Sequence, residues 1–379
     1  MYRSILFLVS LLLFTCKKDL SSDLSIVNQS VKNPKYAQGF ALIQHDEYQI
    51  LEIKNTFPES KKIYRYALVS KEKATSITLN REDFNSILLT PLESVVVTST
   101  THIPALELLG VETRLKGFPG TDYISSSRTR ARIEQGEIRE LGTNEGLNTE
   151  VLIEINPDVV VGFSVNGGNK SYETISKSGI PVIYNGDWLE GSPLAKAEWI
   201  KFFGILFNKE SKADSIFNEI ESAYLEASKI AKGVDQKPTV MSGAMYKDVW
   251  YLPGGSSPEA HFLKDANVNY LWKDTPGKGS LSLSFETVYN KAKDAEIWIS
   301  PSNFQSKEAL LNSNQHYAEF QPFKSGKIYS FSNVTGKTGG TLYYELGISR
   351  PDLVLKDIIK ICHPFLLQDY QTTFFKPLD

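Results

Sequence analysis

Residues 209–232 carry the longest uninterrupted helical signal in the chain, and that signal constrains the fold more than any other. Ala213, Ile216, Phe217, Ile220, Ala223, Tyr224, Ala227, Ile230 and Ala231 recur at steps of three and four, drawing one apolar stripe down a helix. Asp214, Glu219, Glu221, Glu226 and Lys229 occupy the other face, and the run stops only at Gly233 and Pro238. At about 1.5 Å per residue such a helix reaches roughly 35 Å, the span of a small domain. It is either one surface helix among several or a strut joining two lobes, and the flanking sequence decides between them.

The first sixteen residues hold one early cation, Arg3, then the apolar run 5–14, then Thr15 and Cys16. That run is shorter than the roughly 20 residues a bilayer span needs and has the proportions of a secretory signal. It resembles a bacterial lipoprotein signal, which implies that Cys16 receives the lipid and that the membrane is reached through it. Phe14 and Thr15 depart from the usual small residues there, whereas Lys17, Lys18 and Asp19 argue against a buried strand. With Cys16 acylated, Cys362 has no partner, so the fold rests on its core rather than on a disulfide. A chain of 379 residues, 41% hydrophobic, can build a large core and predicts two domains more readily than one. A net charge of -3 without a basic stripe excludes nucleic acid as the expected partner.

Residues 17–35, rich in Ser and Asn and aperiodic, read as a tether. Residues 36–90 alternate apolar and polar positions around Pro58 and Glu59, which predicts a small antiparallel β meander. From residue 91 the pattern becomes strand, helix, strand, helix. Strands are expected at 95–97, 158–161 and 180–184, with helices at 104–109, 151–155 and 171–178, forming one lobe over 91–190. A helical connector over 191–237 includes the long helix. Strands at 239–241, 296–299 and 327–330, with helices at 257–265, 285–291 and 352–361, make a second lobe over 238–379. Such alternation predicts parallel sheets with crossover helices. The halves also echo one another: Leu147 to Glu150 and Leu283 to Glu286 each open a short helix leading to Asp158 and Asp294. Both pairs are spaced by 136 residues (286 minus 150, 294 minus 158). An echo on either side of a long helix favours the strut.

In this order of motifs the chain resembles the periplasmic binding proteins that deliver iron chelates, haem and corrinoids to ABC importers. The matching stretches are Val95 to His102 with Leu109, Gly110 and Val111, then Leu147 to Glu150, Asn156 to Val161, and Gly179 to Val182. Trp250 to Gly255, Leu283 to Glu286 and Pro351 to Leu355 follow in the second half. The resemblance implies an α/β fold of two Rossmann-like lobes with parallel sheets joined by one long helix, the N-terminal meander being an addition. It also implies that Glu150 and Glu286 dock with a permease dimer, and that the protein acts as a monomer.

Enzyme signatures are mostly missing. There is no G-x-G-x-x-G, and Gly336, Lys337 and Thr338 form half a phosphate loop, with Phe331 where the first Gly should stand. The five histidines show no metal-ligand spacing, so no metal is expected to be bound directly and no resident cofactor is implied. Ligands of parallel sheets bind beyond the carboxyl ends of the strands, which selects a set of loops. Thr100, Thr101 and His102 follow the first strand, Ser164 and Asn166 the second, and Trp188 the third. In the second lobe Tyr246, Trp250, Tyr251, Asn303 and Tyr343 follow strands. The aromatics suit a large, flat, partly apolar ligand. Arg128, Arg130, Arg132 and Arg139 either draw an anionic chelate to the cleft or form a solvated face. The expected function is capture of a metal chelate or tetrapyrrole, such as a ferric siderophore, haem or cobalamin, for a permease. Two alternatives stay open: a secreted two-lobe enzyme, and a surface lipoprotein that handles ligand without an importer.

Overall fold

The computed structural model describes residues 30–165 and 167–379. Helix Glu210–Lys232 runs where the apolar stripe places it, and its two halves enter different cores. Ala213, Phe217 and Ile220 pack into the core of the first lobe, whereas Tyr224, Ala227 and Ala231 pack into that of the second. The helix is therefore a strut. Of the predicted stripe, Ile230 alone turns out to solvent, at the C-terminal end where the second lobe no longer covers that side. Gly233 caps the helix, with Lys229 and Lys232 in the last turn, where cations complement the exposed carbonyls.

The first lobe is built on a parallel sheet in the order Val182–Tyr184, Val159–Gly162, Val95–Val97, Leu115–Phe118, Arg139–Glu140. Val95 to Val97 and Val159 to Val161 are buried, as strands covered by helices on both faces must be. The chain order reverses between these two central strands, which opens a crevice at their carboxyl ends. The second lobe has the order Asn269–Tyr270, Thr239–Ser242, Ile297–Ile299, Ile328–Ser330, Lys376–Pro377, parallel except for the last strand. A three-stranded antiparallel sheet, Ala244–Tyr246, Val249–Pro253 and Ser280–Leu283, projects from it.

The internal echo is structural at the glutamates and shifted at the aspartates. Asp158 donates its N–H to the Ser94 carbonyl and accepts from Ser94 N (3.1 Å). Glu296, not Asp294, repeats this: its N–H meets the Thr239 carbonyl and its carboxylate accepts from Thr239 N (3.0 Å). A longer acid placed directly before the strand does the same work as the aspartate.

The N-terminal region forms the expected antiparallel sheet over its first four strands and departs from it only in the last pair. Its sheet runs Ser30–Lys32, Phe40–Gln44, Gln49–Ile53, Tyr64–Ser70, Ser86–Thr90, and the last pair is parallel rather than antiparallel. No tight turn joins that pair; residues 71–85 cross over with two short 3-10 turns, long enough to return the chain in the same direction. Ser30–Lys32, within the expected tether, is a strand of this sheet. Five successive backbone N–H groups are held by two buried carboxylates, Glu198 of the connector and Glu190 just before it: Lys35, Tyr36 and Ala37 donate to Glu198 (2.7–3.0 Å), Gln38 and Gly39 to Glu190 (2.9 Å each). The sheet's inner face, with Phe40, Leu42, Leu51, Tyr66 and Leu68, joins Trp199, Phe202 and Phe203 in the core of the first lobe.

Candidate functional site

Where the first strand ends, Thr98, Ser99, Thr100 and Thr101 lead into helix His102–Leu109. Hydroxyls here bond one another: Thr98 to Tyr172 (2.9 Å) and Ser99 to Thr101 (2.9 Å), while Thr101 Oγ1 donates to Asp187 Oδ2 (2.9 Å). Asp187 is buried beneath this turn, and burial pushes its carboxyl up to about 6, against the relief given by Thr101. The next residue, Trp188, stands at the surface of an inter-lobe cavity of about 330 Å³ together with Thr100 and Thr101. From the other side the cavity is closed by Pro258, Glu259 and Phe262 of helix Pro258–Asp265 and by Tyr343 and Tyr344.

A second cavity of about 340 Å³ lies at the strand ends of the second lobe. Tyr246 and Tyr251 of the hairpin line it with Phe331 and Lys278, and Glu259, Phe262, Tyr343 and Tyr344 border both cavities. Tyr343 stacks on Phe331, with ring centroids 4.4 Å apart and planes 13° from parallel. Burial, reinforced by the Glu259 charge, holds the Tyr343 and Tyr344 phenols above their ordinary value, so both are protonated donors at neutral pH.

The structure thus brings together six of the expected residues, Thr100, Thr101, Trp188, Tyr246, Tyr251 and Tyr343, and sets others apart. Trp250 is a correction: it is fully buried, its indole N–H bonds the Ser242 carbonyl (3.1 Å), and it lies against Trp298 (5.6 Å) and edge-on to Tyr317. Alternation along strand Val249–Pro253 sends Trp250 to the core and Tyr251 to the opposite face. His102 is also corrected: it is buried against Phe203, and burial pushes its imidazole down to about 3, so it is neutral and out of reach of both cavities. Ser164 is buried and uses its hydroxyl to close its own loop onto the Gly167 carbonyl. Asn303 is exposed and lines neither cavity. Asn166 and Cys16 lie outside the described residues.

The arginine run serves the fold instead of the cleft. Arg128 pairs with Glu112; Arg130 donates to the Thr121 carbonyl; Arg132 bonds Glu137 and the Glu112 and Leu115 carbonyls; Arg139 pairs with Glu154. Glu150 and Glu286 are exposed, each the second residue of a helix capped by Asn148 or Ser284. Their own helix's backbone N–H and the Ser284 hydroxyl hold the Glu286 carboxyl below its usual range.

Sequence reasoning missed Lys196, Glu259, Phe262 and Lys278. Glu259 and Phe262 sit in a helix that reads as plain packing; the signal available was that its N-terminus follows directly on the aromatic hairpin. It also missed how the half phosphate loop is used. Ser125 N and Ser126 N donate to the buried Glu345 carboxylate (2.5 and 2.9 Å), Ser125 Oγ to the Gly340 carbonyl, Thr338 Oγ1 to the Asp122 carbonyl, and Lys337 pairs with Glu134 (2.8 Å). These bonds fasten the second lobe to the first beside the cleft. A Cβ at Gly340 would lie 2.1 Å from the Tyr123 carbonyl oxygen, so that glycine is required for the approach.

Two lobes of parallel sheet, one strut helix and a cleft lined from both sides are the features that the comparison with known proteins addresses. The sequence profile described as "Periplasmic binding protein" matches residues 95–334. The chain belongs to the periplasmic binding protein family. That family consists of solute-binding proteins, not enzymes. An uncharacterized lipoprotein of Methanocaldococcus jannaschii is 27% identical over 361 residues, covering 90% of this chain and 84% of that protein. Among solved structures, a periplasmic haem-binding protein from Pseudomonas aeruginosa has a TM-score of 0.57 at 15% identity, covering 76% of this chain and 98% of that one. The Helicobacter pylori protein Ceue with Ni(II) bound has a TM-score of 0.55 at 20% identity, covering 75% and 88%. At these identities the structures establish the fold.

Proposed function

We propose that this periplasmic binding protein is the lipid-anchored, ligand-capturing component of an ABC importer, taking up a metal chelate or tetrapyrrole between its lobes and presenting it to a permease. The observation that carries this reading is the inter-lobe cavity, whose wall combines Thr100, Thr101 and Trp188 of one lobe with Phe262, Tyr343 and Tyr344 of the other. Aromatic area supplies affinity for a flat, partly apolar ligand, and a few hydroxyls and amines fix its orientation. The metal arrives inside the ligand, so no cofactor belongs to the protein. The haem and Ni(II) named for two structural relatives support this class of ligand.

Among the described residues no helix is long and apolar enough to cross a membrane; attachment through a lipid on Cys16 is part of the proposal. The lipoprotein name of the archaeal relative supports this anchor and a place in the cell envelope. Glu150 and Glu286, exposed on corresponding helices of the two lobes, are proposed to meet basic pockets of the permease dimer. Titration calorimetry of the purified chain with ferric siderophores, haemin and cobalamin tests the reading. Binding of one of them, weakened by about ten-fold in Trp188→Ala without loss of thermal stability, is the expected result. Absence of binding by all three classes would count against ligand capture.

A further inference from the structure

Residues 35–39 form a short arm between strand Ser30–Lys32 and strand Phe40–Gln44. All five of its backbone N–H groups end on Glu198 or Glu190, both buried. Glu190 also accepts the Trp199 indole N–H (3.0 Å), and Glu198 pairs with Lys201 (3.0 Å). Hydrogen bonds from amides to a carboxylate are stronger than neutral ones, and losing a buried acceptor would strand several donors at once. Packing fixes the arm further, since a Cβ at Gly39 would lie 2.6 Å from the Trp199 ring. On this side the arm is fastened to the first lobe and the connector.

Its other side reaches across the junction. The Tyr36 ring packs against the cores of both lobes, with its centroid 6.0 Å from that of Phe217. Its hydroxyl donates to Glu221, which also pairs with Lys35 (2.5 Å). Glu221 stands where the strut passes from one lobe to the other, after Phe217 and Ile220 of the first core and before Tyr224 of the second. A long helix curves under load, and contacts that bridge its two halves resist that bending. Beyond Tyr36, Gln38 shares the wall of a cavity of about 390 Å³ with His261 and Lys264 of the second lobe. These two occupy the face of helix Pro258–Asp265 opposite to Pro258, Glu259 and Phe262, which line the cleft, so the arm runs behind the cleft. The bonds of Ser125 and Ser126 to Glu345 hold the lobes together beside the cleft; the arm holds them at the back.

We infer that residues 35–39 are a brace between the lobes, which fixes the strut at Glu221 and limits how far the cleft can open. The brace touches no ligand, and its action is independent of what the cleft binds.

Hydrogen exchange of the full chain without ligand, read by mass spectrometry, tests this. Tyr36→Ala should speed exchange by about ten-fold in strut residues 217–224 and in residues 121–127 and 336–345, because a lobe free to tilt strains the bonds at Glu345. Tyr36→Phe keeps the ring and deletes the hydroxyl; it should speed exchange in the same segments by about three-fold, and it decides the matter if the alanine variant does not fold. The inference is overturned if faster exchange stays within residues 30–44, which would make the arm a packing element of the first lobe alone. It is equally overturned if no segment responds to either substitution.

Discussion

At the strand ends of the first lobe the cleft wall is made of hydroxyls over a buried acid, Thr100 and Thr101 above Asp187, with Trp188 as its one large ring. At the strand ends of the second lobe it is made of rings: Tyr246, Tyr251, Phe331, Tyr343 and Tyr344. The backbone framework is shared, down to the acid that accepts the first strand amide in each lobe. The loops differ because the second lobe inserts an antiparallel hairpin directly after Thr239–Ser242, where the first lobe runs straight into a helix. The fold sets where the two walls face one another, and the loop chemistry sets what each side offers. In the proposed function the second lobe would supply contact area and the first polar orientation.

The sharpest break in that contrast is expected at Trp250 against Tyr251, neighbours on one strand. Trp250→Ala should cost about 3–5 kcal/mol of stability, as a fully buried large ring does, and calorimetric melting measures it. Tyr251→Ala should leave the melting midpoint close to wild type and lower ligand affinity instead. Equal effects of the two on stability would show that the ring wall is core rather than site.

Next in size is the pH response of the inter-lobe fastening. Glu345 stands at about 7 instead of its ordinary 4.5, because burial penalises its charge, partly offset by the Ser125 and Ser126 amides, with Glu107 adding repulsion. A carboxyl raised by folding contributes stability that is complete below its unfolded value and lost as pH rises through the folded one. Wild-type stability should therefore fall by on the order of 2 kcal/mol between about pH 4.5 and pH 7, and Glu345→Gln should flatten that fall. Asp187, raised from 3.8 to about 6, predicts a similar but earlier decline that Asp187→Asn removes. Melting curves at stepped pH separate the two, and an unchanged slope in both variants would refute the assignment.

A smaller effect is expected in the cleft itself. Tyr343→Ala should weaken ligand binding by about ten-fold, through lost area and about 0.5–1.5 kcal/mol of ring pairing. Thr101→Val should weaken it less while freeing Asp187 from its donor. Titrations that ranked Thr101 above Tyr343 would reverse the division of labour between the lobes. Smallest of all in the isolated protein are Glu150→Lys and Glu286→Lys, exposed changes that should leave melting and affinity unaltered yet reduce uptake in cells when combined.

Much of the frame was legible in the chain. The stripe on residues 209–232, the buried valine runs and the glutamate echo are local periodic signals, and the two-lobe α/β fold with its strut follows from them. Period-two alternation also separates Trp250 from Tyr251, but only once the hairpin register is known; the sequence shows two adjacent aromatics after a strand, and both read as site residues. His102 shows the same gap, since a histidine opening a helix at a cleft is indistinguishable in sequence from one turned inward against Phe203. Glu259, Lys196 and Lys278 carry no motif, because a cavity wall selects by position and not by pattern. The half phosphate loop bonds a loop more than two hundred residues earlier in the chain. What the sequence by itself determined were the elements and their faces, which depend on neighbours within a few residues. What the tertiary structure decided was which side chains share the cleft and which acids are buried, because burial and convergence depend on elements brought together from opposite ends of the chain.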